Sequence, residues 1–210
     1  MDHRTLWDIS PPVSPQSPLF PGDRAYSQEW TATIAPGCPV NLSAITMSPH
    51  IGAHADAPLH YGPGEATSGE LDLHPYLGVC RVIDAIGRGP LIAPEDLAHA
   101  EAGLPERVLV RTCLTAPTTW STDFASFAPE TIDWLAARGV RLVGIDSQSV
   151  DPAASKELPS HHRLLANDMR VLENLVLDNI AAGDYELIAL PLKLMLADAS
   201  PVRAVLRALS

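Results

Sequence analysis

The chain has 210 residues, 46% of them hydrophobic and 19% charged, with a formal net charge of −11. That length supports one sizeable core, and the composition is that of an ordinary soluble globular protein. No basic run exists to neutralise phosphates, which argues against a nucleic-acid role, and no window reaches the roughly 20 apolar residues that a bilayer span requires.

In chain order, the first 25 residues read as a proline-rich loop, because Pro11, Pro12, Pro15, Pro18 and Pro21 close off helix formation. Such a segment is held only by packing, over a site or against a partner subunit. Met1-Asp2-His3-Arg4 leads into Asp8 rather than an apolar core, so no secretory leader is expected. Residues 30–47 contain apolar runs, notably 40–47, that should form strands. Short buried strands are expected at 80–86, 108–112, 142–145 and 185–192, all rich in Val, Ile and Leu. Pro94-Glu95-Asp96-Leu97 and Pro129-Glu130-Thr131-Ile132 each open a helix, with proline at the first position and acids in the first turn. The second should end near Arg138-Gly139, with Trp134 packing in the core. Strand, helix and strand across 108–145 imply an α/β layer, and 1–210 reads as a single α/β or mixed β/β/α domain. Cys38, Cys80 and Cys113 form no CxxC pair or disulfide pattern, which suits a reducing cytoplasm, and Cys113 reads as a small buried hydrophobe.

The richest stretch is His50-Ile51-Gly52-Ala53-His54-Ala55-Asp56-Ala57-Pro58-Leu59-His60. Its three histidines and one carboxylate all sit at even positions, so an extended chain would project them to one side. A straight strand would hold His50 and His54 roughly 13 Å apart along the backbone, whereas zinc needs each ligating atom within about 2.0–2.2 Å. The strap must therefore kink, and Gly52 is the place for it. Pro58 argues against a central sheet strand just before His60. Any one of these histidines alone would read as a surface or core residue; grouped with Asp56 and a hinge glycine, they read as a metal site.

A second set of donors lies at Ser160-His161-His162 and Glu173. One helix from His161 to Glu173 would hold them about 18 Å apart, so the chain must break, and Asn167-Asp168 supplies the breakers. Glu173 sits in an otherwise apolar run, where a carboxylate must be paired, exposed or metal-bound. His162, read in an extended segment beside His161, should point away from the site. His3, His74 and His99 lack spacing partners and read as surface residues.

The strap is similar to the His-x-Gly-x-His-x-Asp-x-Pro-x-His signature of the cyclase-like metal hydrolases. Trp7-Asp8-Ile9-Ser10-Pro11-Pro12, Pro21-Gly22-Asp23, Ser48-Pro49-His50, Gly144-Ile145-Asp146, Asp184-Tyr185-Glu186-Leu187, Leu190-Pro191-Leu192-Lys193 and Asp198-Ala199-Ser200-Pro201-Val202-Arg203-Ala204 resemble the bacterial kynurenine formamidases more narrowly. That resemblance implies a β/β/α swivelling fold and a homodimer. It also implies two zinc ions per subunit, with manganese or cobalt also possible. His50 and His54 would ligate the first ion, Asp56 would bridge, and His161 and Glu173 would hold the second. His60 would carry the proton. The implied reaction is hydrolysis of N-formyl-L-kynurenine, an aryl formamide, in tryptophan degradation.

Four departures from that pattern bear on substrate. Phe20 stands where tryptophan is expected, keeping an aromatic face for substrate but losing the indole N–H. Ser147-Gln148-Ser149 replaces Thr-Pro-Ser, Pro159-Ser160 replaces Asp-Ala, and Arg170 stands for a small residue. Two rivals remain: a related hydrolase opening a cyclic amide such as isatin, and a non-catalytic module stapled by metal.

Overall fold

The computed structural model describes residues 4–209. The strands are β1 (Leu6–Asp8), β2 (Ser27–Ala32), β3 (Leu42–Thr46), β4 (His54–Asp56), β5 (Leu77–Asp84), β6 (Leu91–Ile92), β7 (Arg107–Arg111), β8 (Ser126–Phe127), β9 (Leu142–Ile145), β10 (Arg170–Glu173), β11 (Gly183–Ile188), β12 (Ala199–Pro201) and β13 (Val205–Arg207). The α-helices are α1 (Pro94–Leu97), α2 (Pro129–Ala136) and α3 (Pro159–Ala166). Nine strands join in one mixed sheet, ordered β1-β13-β11-β5-β7-β9-β10-β4-β12. Its middle strands β5, β7, β9 and β10 are parallel neighbours, as their continuous apolar runs imply.

Strand alternation divides the interior into two cores. Leu109, Leu142 and Leu172 face one core with Tyr76, Val82 and Leu187. Val108, Val110, Val143, Ile145 and Val171 face the other, where Ile132 and Leu135 of α2 and Leu164 of α3 pack. Since β10 alternates, Glu173 shares the helix-covered face with Val171. This parity positions the candidate site. Both helices with expected starts are present: α1 is a single turn, and α2 ends as expected, with Gly139 at φ +84° just beyond it. Trp134 is partly buried against the second core, with the Arg138 guanidinium 3.8 Å over its ring.

Three expectations need correction, and a fourth, the strands within 30–47, is met outside the core. The N-terminal segment is not wholly loop: β1 pairs antiparallel with β13 at the sheet edge, and Trp7 meets Tyr185 edge-on. The apolar run at 40–47 joins no core. Strands β2 and β3 form a separate hairpin that exposes Trp30, Leu42 and Ile45, because its partners are local. Cys113 is only half-buried, and its thiol donates to Asp146. Finally, residues 159–166 are helical, although Ser160-His161-His162 read as extended. Proline at N1 was the available signal. His74 and His99 are exposed as expected, while His3 lies outside the described residues.

Candidate metal centre

The strap bends where glycine permits. Gly52 has φ +70°, and a Cβ there would approach the Val13 side chain to 2.8 Å, so the N-terminal segment packs directly on the bend. Beyond it, β4 puts His54 and Asp56 on one face of the sheet, while Ala53, Ala55 and Ala57 enter the core behind. Pro58 then opens a single 3-10 turn over Pro58–His60, which ends the strand and redirects His60. On the neighbouring strand, Glu173 stands in register with His54, and Val171 with Asp56. Antiparallel partners share a face, so His54, Asp56 and Glu173 meet on the helix-covered side. Helix α3 brings His161 to that side. Asn167 caps it and Asp168, at φ +51°, turns the chain into β10, which is the break the spacing required. His162, on the same helix, is exposed.

Asp151 sets the start of α3. Its carboxylate accepts the Ser160 and His161 backbone N–H groups at 2.9 and 3.0 Å and His161 Nδ1 at 2.7 Å. With Pro159 at the first position and the His162 amide bonded to Leu158, the orphan donors of that helix start are satisfied. Leu158 itself is left-handed at φ +44°, a strained conformation for a branched side chain, and it lines the cavity beside the site.

Three histidines are each tied on one nitrogen and present the other inward. His54 Nδ1 donates to the Gly52 carbonyl at 2.9 Å, His161 Nδ1 to Asp151, and His50 Nε2 to Asp198 at 3.1 Å. Such an outside acceptor selects the tautomer that leaves a lone pair for a metal. The inward nitrogens surround Asp56: His50 Nδ1 and His54 Nε2 lie 3.1 and 3.3 Å from Oδ1, and His161 Nε2 lies 3.3 Å from Oδ2. Glu173 likewise has one oxygen 3.4 Å from His54 and the other 3.5 Å from His161. Yet His54 Nε2 and Asp56 Oδ1 are buried without a hydrogen-bond partner. Donors bound at about 2.0–2.2 Å around one tetrahedral ion stand about 3.3–3.6 Å apart, close to these separations. The residues therefore fit a metal: orphaned lone pairs converge at ligand–ligand distances, and the donors are the imidazoles and carboxylates that divalent ions take.

Without a metal the cluster's charges are strongly coupled. Burial works against protonation of His50 and His54, but Asp198 and Asp56 raise His50 to about 9, and Asp56 and Glu173 raise His54 to about 10. His161 is raised well above its ordinary value against the same burial, chiefly by Asp151. Burial opposes ionisation of Glu173 and Asp56 in turn, but the histidines hold Glu173 down to about 2 and Asp56 well below the usual carboxylate range.

His60 lies at the rim, exposed, with Nδ1 donating to Asp198 Oδ2 at 3.2 Å. The same oxygen accepts His50 Nε2, and the two rings are 4.4 Å apart. One ligand-type atom each from Asp56, His60 and His161 can be drawn within 4.8 Å of one another. The cluster opens into a cavity of about 400 Å³ bounded in part by Phe20, Trp120, Gln148 and Ser149. Phe20 meets Trp120 edge to face at 5.0 Å.

These features agree with the comparisons to known proteins. A family model described as a putative cyclase matches residues 7–152. The chain is 65% identical over 208 residues to the kynurenine formamidase of Bordetella pertussis, covering 99% of this chain and 100% of that one. It is 65% identical over 207 residues to the kynurenine formamidase of Delftia acidovorans, covering 99% of each. The chain belongs to the cyclase family. Among solved structures, a potential metal-dependent hydrolase with cyclase activity superposes with a TM-score of 0.85 at 28% identity, covering 98% of each chain. Isatin hydrolase A from Labrenzia aggregata has a TM-score of 0.81 at 22% identity, covering 98% of this chain and 94% of that one, and shares the fold.

Within this cyclase framework two of the four departures, at Phe20 and at Gln148-Ser149, line the cavity. Gln148 accepts the Ser121 amide and donates to the Thr119 carbonyl, each at 3.4 Å, so it holds the loop on both sides of Trp120. The indole missing at position 20 is thus present in the cavity wall as Trp120. Ser160 is buried and donates to the Phe127 carbonyl, and Arg170, the first residue of β10, is half-buried and bonded to Asp168 and Met169. Three residues escaped sequence reasoning: Asp151, Asp198 and Trp120. Asp198 lay inside a quoted motif without a role, and Asp151 and Trp120 sit in irregular segments whose direction no periodicity reports.

Proposed function

We propose that the protein hydrolyses N-formyl-L-kynurenine to L-kynurenine and formate. Residues His50, His54, Asp56, His161 and Glu173 hold divalent metal, and His60 moves the proton. The observation that carries this reading is the convergence of four donors, His50, His54, His161 and Glu173, on one cavity, with Asp56 3.1–3.3 Å from the three histidines behind it, in a chain 65% identical along its length to kynurenine formamidases. Two zinc ions would be held there, His50 and His54 serving one and His161 and Glu173 the other, with Asp56 available to both because its oxygens face separate histidines; manganese and cobalt suit the same donors. When bound, such metal supplies Lewis acidity, lowering the pKa of water toward neutrality and polarising a carbonyl.

The chain's own residues then do the rest. Asp198 holds His60 through Nδ1, leaving Nε2 to work. As water adds to the formyl carbon, His60 takes its proton; it delivers that proton to the aryl nitrogen as the C–N bond breaks, giving formate and a free arylamine. Phe20 and Trp120 offer aromatic faces to the aryl ring.

Ring opening of isatin is the weaker reading, since the isatin hydrolases are only 20–22% identical and share the fold alone. A structural staple is weaker still: the cluster has no cysteine and opens to a cavity, whereas structural zinc is closed by four protein ligands. No helix among the described residues is long and apolar enough to cross a membrane. Three unpaired cysteines support a cytoplasmic setting, and the exposed β2–β3 hairpin supports a homodimer. The deciding experiment chelates the protein, re-adds zinc and follows both bound metal and N-formylkynurenine turnover. Activity should vanish and return with the metal. Full activity in metal-free protein, or none after zinc is restored, would overturn the reading.

A further inference from the structure

The cavity wall carries four carboxylates, Asp23, Asp151, Glu173 and Asp198, and no lysine or arginine. Three of the four are engaged by histidines: Asp151 by His161, Glu173 by His54 and His161, and Asp198 by His50 and His60. Asp23 is different. It is half-buried in the Pro21-Gly22-Asp23 turn, its amide closes the turn on the Phe20 carbonyl at 3.0 Å, and Oδ2 accepts the Ser48 hydroxyl at 3.0 Å. No cation pairs with it among the described residues, and its second oxygen is left over.

On the formamidase reading, the substrate carries an α-ammonium and an α-carboxylate at the end of its acyl side chain. The cavity offers the ammonium one uncommitted carboxylate, three residues along the chain from the aromatic face of Phe20. It offers the α-carboxylate no lysine or arginine. We propose that Asp23 is the specificity-determining residue that binds the α-ammonium of the substrate, and that the α-carboxylate is left to solvent. A charge-assisted hydrogen bond of this kind exceeds a neutral one roughly twofold in strength. The enzyme should therefore select amine-bearing aryl formamides and tolerate loss of the acid.

The test compares three substrates on the zinc-loaded enzyme: N-formyl-L-kynurenine, its des-amino analogue 4-(2-formamidophenyl)-4-oxobutanoate, and its decarboxylated analogue 1-(2-formamidophenyl)-3-aminopropan-1-one. Removing the amine should raise KM about tenfold, equivalent to about 1.4 kcal/mol, with little change in kcat. Removing the carboxylate should change KM less than about threefold on the same scale. Asp23→Asn keeps an acceptor for Ser48 and removes the charge, so the KM ratio between des-amino and parent substrates should collapse toward one. Calorimetric binding of L-kynurenine, the product, to zinc-loaded wild-type protein, against its des-amino analogue, should show the same preference without turnover. Equal KM for all three substrates in the wild type would overturn the proposal while leaving the formamidase reading intact. So would an unchanged ratio in the Asn variant, or selection for the acid. Failure to deformylate any of the three would instead overturn the formamidase reading, and this proposal with it.

Discussion

Asp151 holds the second half of the proposed metal centre, and Asp151→Ala measures how much. The residue is buried, and its carboxylate accepts two backbone N–H groups at the start of α3 and the ring N–H of His161, at 2.7–3.0 Å. Burial works to raise its pKa, but His161 and the helix amides outweigh that and hold it below its ordinary value. Truncation to alanine removes the acceptor and leaves three donors in a site that water reaches poorly. Loss of a helix cap costs about 0.5–2 kcal/mol, and loss of a hydrogen bond to a charged partner about 1.5–3 kcal/mol. Together these place the destabilisation of the metal-free protein at about 2–5 kcal/mol. For a chain of this size each kcal/mol moves the melting temperature by roughly 2–4 °C, so calorimetry should show a fall of roughly 4–20 °C. Freed from its acceptor, His161 also loses its tautomer and ring orientation, and metal affinity should fall about 10–100-fold. Asp151→Asn, which keeps one carbonyl acceptor, should land between wild type and alanine on both measures. If the alanine variant melts within a degree or two of wild type and binds metal equally well, Asp151 neither caps α3 nor orients His161.

His60→Ala should keep metal content near that of wild type, by elemental analysis, while formamide hydrolysis falls about 10²–10⁴-fold; loss of a metal equivalent would make His60 a ligand. Asp56→Asn should lower occupancy at both positions, and depletion of one alone would count against a bridge. In the metal-free protein, His50 and His54 titrate near 9 and 10 because Asp198, Asp56 and Glu173 overcome their burial. Their folded values exceed the unfolded value near 6.5, so the protonated pair stabilises the fold fully below that pH. This stabilisation fades as pH rises through 9 and 10. The melting temperature of chelated protein should therefore fall between pH 6.5 and 9.5. Metal affinity should rise over the same window, because ligation requires the deprotonated ring. A chelated protein that gains stability across that range would refute the coupling.

Much of the molecule was legible in the chain, for reasons that are local. Val, Ile and Leu runs flanked by turn residues marked β7 and β9 to within a residue or two, because strands covered on both faces need continuous apolar sequence. Pro129 and Gly139 bracketed α2 through backbone geometry that each residue carries with it. The even spacing of His54 and Asp56 reported a shared face, and Gly52 reported the bend. Other features depend on partners remote in sequence. Only the pairing of β4 with β10 tells which face Glu173 joins, and only that register sets it opposite His54. The apolar run at 40–47 carries the signal of a core strand, yet it finds only the 27–32 segment and stays outside. Asp151, Asp198 and Trp120 lie in segments without period, so their direction was settled by packing. The sequence by itself determined the donors and the hinge, because those are properties of residue type and short-range spacing. Tertiary structure alone decided which nitrogen of His50 and of His161 faces inward, because the acceptors that make that choice, Asp198 and Asp151, reach them across a long stretch of chain and through a cap built from a loop.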